Sequence, residues 1–93
     1  MPERLGLALQ ILELLAEEGA FPGLTRGELR RKLGAAADKE ITARCRELRD
    51  YPSYGGFNVR VEQSGKEWRY WLPYRERRRA RAFIAAWKAR KAA

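Results

Sequence analysis

The chain has 93 residues, 45% of them hydrophobic with three Trp, and a formal net charge of +8. That length suits one small domain (residues 1–93) rather than two, and the apolar content excludes a disordered polyelectrolyte. The lone Cys45 excludes an intramolecular disulfide, and the absence of His removes the commonest general acid–base group.

The charge is unevenly spread. Residues 1–24 carry a net −3, whereas residues 25–93 carry 19 basic and 8 acidic residues. A basic region of this kind suits a polyanionic partner. Glu3, Arg4 and Gly6 interrupt any apolar leader, and no apolar run is long enough to span a membrane. The cytoplasm is the expected compartment.

In chain order, residues 3–18 predict a helix. Leu5, Leu9, Leu12 and Leu15, with Ala8 and Ala16, make one apolar face, which Leu7, Ile11 and Leu14 widen. Gly19 ends it. Phe21-Pro22-Gly23 is a connector. Thr25 followed three residues later by Glu28 is a capping box, with Leu24 and Leu29 as its hydrophobic staple, and it opens a short second helix over 26–33.

Residues 34–38 form a tight link, and Asp38 is placed to cap a third helix over 39–50. Ile41, Cys45 and Leu48 form its inward stripe. Cys45 reads as a small core residue. Two short helices joined by a Gly-containing link have the spacing of a helix-turn-helix.

Residues 51–56 (YPSYGG) are a turn-rich break. Then Phe57, Val59 and Val61 alternate with Asn58, Arg60 and Glu62. After the loop 63–66, Trp68, Tyr70 and Leu72 alternate with Glu67, Arg69 and Trp71. This is a β-hairpin pattern with Phe57, Trp68 and Tyr70 facing inward. Pro73 closes a core of residues 3–73. A final Arg-rich helix spans 74–91, with Ala80, Phe83, Ile84 and Trp87 on one face.

The fold class is therefore mainly α with a small β-hairpin. Residues 25–72, with ITARCRELRD, then YGG, then an alternating hairpin ending in YWL, resemble winged helix-turn-helix DNA-binding domains of bacterial and phage proteins. The resemblance covers about half the chain. It implies a third helix entering the major groove of double-stranded DNA and a hairpin wing touching the backbone or minor groove. It fits sequence-specific binding by a small transcription regulator or a phage DNA-transaction protein.

At 100° per residue, the inward stripe of the third helix turns Lys39, Ala43 and Arg46 outward and sets Thr42 and Arg49 on one flank. Arg46 can fork onto guanine, Thr42 can bond a base or meet a thymine methyl, and Ala43 allows close approach. Lys39, at the helix start, suits a nearby phosphate, and these four are the expected base-edge set. Arg26, Arg30, Arg31, Arg49, Arg60, Lys66 and Arg69 are the expected backbone contacts.

Trp71, on the outward hairpin face, either packs under a neighbouring element or stacks on a partner. The Arg run of residues 75–81 can grip DNA, pair with the acidic first helix or stay solvated. Arg75, Arg78, Arg79, Phe83 and Trp87 are thus additional DNA or homodimer contacts. No metal site, cofactor motif, phosphate loop or small-molecule site is evident, and the two Ser lie in turns without an activating base. The expectation is a binding protein and not an enzyme. The competing reading is a winged-helix interaction module docking on a larger transcription or replication complex.

Overall fold

The computed structural model describes residues 6–92. The predicted helix start at residues 3–5, Leu5 included, lies outside the described residues. Helix α1 runs Leu7–Glu18 and buries Ala8, Leu9, Ile11, Leu12, Leu15 and Ala16. So wide an apolar face needs cover on more than one side, and two helices supply it: α3 (Ile41–Asp50) and α4 (Tyr74–Ala92) both pack on α1. Among the described residues no helix is long and apolar enough to cross a membrane.

After α1 the connector contains a cis Phe21–Pro22 peptide. It then turns through Gly23, whose left-handed backbone (φ +84°) passes so close to Tyr70 that a Cβ would strike the Tyr70 carbonyl. Leu24–Thr25 forms β1, which pairs antiparallel with β3 (Glu67–Trp71), Leu24 opposite Tyr70 and Thr25 opposite Arg69. Two residues are too few to show a strand period, so this strand left no trace in the sequence pattern.

Helix α2 covers Arg26–Leu33, and its predicted capping box forms in full. The Glu28 amide donates to Thr25 Oγ1 and the Thr25 amide to Glu28 Oε1, each at 3.1 Å. Leu24 and Leu29 are both buried beside it, as the staple requires.

The link to α3 differs from expectation. Residues Ala35–Glu40 form a 3-10 helix, and α3 begins at Ile41 with no side-chain cap. Asp38 does not cap it, because its carboxylate accepts from Arg26 Nε at 3.2 Å. Lys39 accordingly sits on the 3-10 helix and not on α3. The stripe Ile41, Cys45, Leu48 is buried as expected.

The first strand of the hairpin starts three residues later than expected and ends two later, while the second still begins at Glu67. Strand β2 runs Arg60–Ser64, and Phe57 instead donates its amide to Leu48 O at 2.7 Å, tying the hairpin base to the end of α3. Gln63 and Ser64 belong to the strand, and the loop shrinks to Gly65-Lys66 with Gly65 at φ +64°. Glycine at the first central position suits a tight hairpin turn. The sheet order is β1-β3-β2, all antiparallel.

Along α4, Ala80 and Ile84 are buried while Phe83 and Trp87 pack half-buried against the core. Phe83 meets Phe57 edge to face at 5.7 Å. Arg81 pairs with Glu17 (3.5 Å) and Lys88 with Glu13 (2.5 Å) on α1. The fold is mainly helical with a small three-stranded antiparallel sheet.

Candidate nucleic-acid interface

Arg26 fixes the geometry of this region. Its guanidinium donates to Asp38 Oδ1 (3.2 Å), the Asp38 carbonyl (2.5 Å), Thr42 Oγ1 (3.1 Å) and the Tyr70 hydroxyl (2.9 Å). One side chain thereby joins α2, the 3-10 helix, α3 and β3. Burial alone disfavours its charge, but the bonds to Tyr70 and Asp38 outweigh that and hold its pKa above the ordinary value. Arg26, expected as a DNA-backbone contact, is half-buried and spends its donors on these partners as a staple. A planar five-donor fork can bridge four elements where a lysine could not.

With Ile41, Cys45 and Leu48 turned into the core, α3 exposes Thr42, Ala43, Arg46 and Arg49. Lys39 is exposed just before it. Among the described residues Arg46 makes no hydrogen bond or ion pair. Arg49 is held by its neighbour Asp50 (2.8 Å), and this bond lowers the Asp50 carboxyl pKa. Arg44 pairs with Glu47 at 3.3 Å. Burial pushes the Cys45 thiol up to about 11 despite the nearby charge of Arg26, so the group stays a neutral packing element.

Between α3 and the hairpin lies an open cleft of about 180 Å³. Thr42, Cys45, Arg46 and Arg49 form one wall, and Asn58, Val59, Val61 and Tyr70 the other. The register sorts the hairpin into two faces. Val61 opposes Tyr70 and Gln63 opposes Trp68 on the face that fronts the cleft. Arg60 opposes Trp71, Glu62 opposes Arg69 and Ser64 opposes Glu67 on the other.

The far face is balanced in charge. Arg60 donates to the Asn58 carbonyl and pairs with Glu76 (3.4 Å), and Arg69 pairs with Glu67 (3.4 Å). Trp71 also lies there and packs edge-on against Phe21 with ring centroids 5.1 Å apart, so the packing alternative holds for it.

The structure thus puts Thr42 and Arg46 on the cleft side of α3, with Ala43 exposed beside Arg46 and turned away from the hairpin, and Lys39 before them. Arg30 and Arg31 are exposed on α2, and Lys66 is exposed at the hairpin turn. Arg60 and Arg69 stand apart, on the hairpin face away from the cleft. On α4, Arg75 and Arg78 are exposed, and Arg78 lies 5.9 Å from the Tyr74 ring centre. Arg79 lies 4.0 Å over Phe57 and donates to the Gly55 carbonyl at 2.6 Å. Phe83 and Trp87 face the chain's own core.

Sequence reasoning missed Val61 and Trp68 as surface groups. Both lie on the predicted inward face, yet they are 47% and 45% exposed. Alternation says which side a residue takes but not where the core beneath it stops, and β1 reaches only Tyr70 and Arg69. Compared with family models, with curated proteins and with solved structures, the chain matches none.

Proposed function

We propose that this protein is a winged helix-turn-helix domain that binds double-stranded DNA sequence-specifically, with α3 in the major groove and the β2–β3 hairpin as the wing. The observation that carries this reading is the exposed Thr42–Ala43–Arg46 surface of α3, held by the Arg26 staple and flanked by the hairpin across an open cleft. An exposed arginine that makes no hydrogen bond or ion pair among the described residues has its fork available for guanine O6 and N7. Arg30, Arg31 and Lys66 supply phosphate contacts, which add affinity without sequence preference. The protein works as a small cytoplasmic regulator or DNA-transaction factor, by binding and not by catalysis.

Selection from random duplex DNA tests the reading. It should return a motif, and binding should weaken steeply as salt rises. Arg46→Ala should relax preference at one or two base pairs, at about 1–3 kcal/mol each, while Arg30→Ala should weaken all sequences alike. A protein that ignores duplex DNA at low salt is not such a domain. Unchanged preference in Arg46→Ala would remove Arg46 as the reading residue.

A second reading rests on Phe21, 66% exposed beside Trp71, and on Tyr74, 62% exposed. Exposed aromatics of this kind suit docking on a larger transcription or replication complex. That reading calls for a partner complex that survives high salt.

A further inference from the structure

The cleft-facing side of the hairpin continues past the core. Tyr70 lines the cleft, and Trp68, two residues further towards the turn, lies about 7 Å beyond it along the strand. Trp68 is 45% exposed, and Val61 on the same face is 47% exposed. No acidic residue shares the strand positions of this face, since Glu62 and Glu67 take the opposite one. Lys66 stands at the turn beside it, and Gln63 sits directly opposite Trp68. Five ladder pairs and a two-residue turn make the element that presents the indole stiff.

We propose that Trp68, with Val61 exposed on the same hairpin face, is an apolar wedge that enters the DNA minor groove beside the site read by α3 and unstacks a base step there. This rests on the duplex-binding reading and adds the kind of DNA it takes. A two-stranded hairpin cannot settle in a minor groove about 6 Å wide unless the groove opens. An apolar side chain levered between base pairs opens it and kinks the duplex. Lys66 at the turn, with no acid at the strand positions of this face, favours the groove here, whereas the far face is balanced in charge. Flexible pyrimidine–purine steps unstack most easily, so the target carries one under the wing although no side chain reads its base edges.

The test uses the full chain with end-labelled short duplexes carrying either a central TA step or an uninterrupted A-tract. Bending is read as the change in end-to-end energy transfer, and affinity is read in parallel. The wild-type protein should bend the TA duplex and prefer it. Trp68→Ala should leave the melting temperature unchanged, lose the bend and the TA preference, and bind the TA duplex on the order of tenfold more weakly. Trp68→Phe should recover part of each.

If Trp68→Ala bends DNA like the wild type while Arg46→Ala weakens duplex binding, the wedge is wrong and the duplex reading stands. If the wild type binds no duplex, both fall. Tighter binding to the single strand than to the duplex, lost in Trp68→Ala but kept in Arg46→Ala, would also overturn the wedge and make Trp68 a stacking platform for unpaired bases.

Discussion

Helices α3 and α4 both carry several arginines, and they use them differently. On α4 three arginines reach to other parts of the chain, Arg77 to the Leu72 carbonyl, Arg79 to Gly55 and the Phe57 ring, and Arg81 to Glu17 on α1, while Arg75, Arg78 and Arg90 stay exposed. On α3 the pairs stay within the helix, Arg44 with Glu47 and Arg49 with Asp50, while Arg46 is left open. Charge density alone would rank α4 as the stronger polyanion site. The partners narrow that lead, because a guanidinium already bonded to carbonyls and carboxylates, as in Arg77, Arg79 and Arg81, must break those bonds before it can take a phosphate.

Ile84→Ala removes a buried side chain from the α1–α4 seam and should cost about 2–4 kcal/mol in a urea melt. A cost near zero would mean that α4 docks loosely and that its arginines are free after all. Arg26→Ala should cost about 2 kcal/mol, since it strips partners from Asp38, Thr42 and Tyr70 together. Arg26→Lys should recover little of this, because an ammonium cannot bridge the same elements.

Thr25→Ala should cost about 1 kcal/mol through loss of the α2 cap. The same cap carries a pH signature. The Thr25 amide, and then the Thr25 hydroxyl, hold the Glu28 carboxyl below its ordinary value of 4.5. A depressed folded pKa means that this stabilisation is complete above about pH 4.5 and is lost as pH falls through the folded value. Urea melts of Glu28→Gln should therefore show a flatter acid limb than the wild type. The smallest expected change is Arg46→Ala, within about 0.5 kcal/mol of wild-type stability. A large loss there would show Arg46 to be structural, like Arg26.

The arginines also mark where sequence reading works and where it stops. The α2 cap, the α3 stripe and the apolar face of α4 were all legible, because each is a local periodicity or a local hydrogen-bond pattern. Arg26 and Arg46 are indistinguishable on those terms. One meets Asp38, Thr42 and Tyr70 and the other meets solvent, and two of the three Arg26 partners lie 16 and 44 residues away. Asp38 illustrates the same limit, since its position suits a helix cap until a distant guanidinium claims it.

Length, charge and two periodicities are enough to specify one small, basic, mainly helical domain with a hairpin, and they put Thr42, Ala43 and Arg46 on one side of a helix. Which cations are bonded, the pairing of β1 with the sheet, the hairpin face that fronts α3 and the place of Trp68 beyond the core all come from long-range packing. The reason is range. Helix and strand periods are set by backbone geometry over a few residues, whereas burial and ion pairing depend on which surfaces meet when the chain closes on itself.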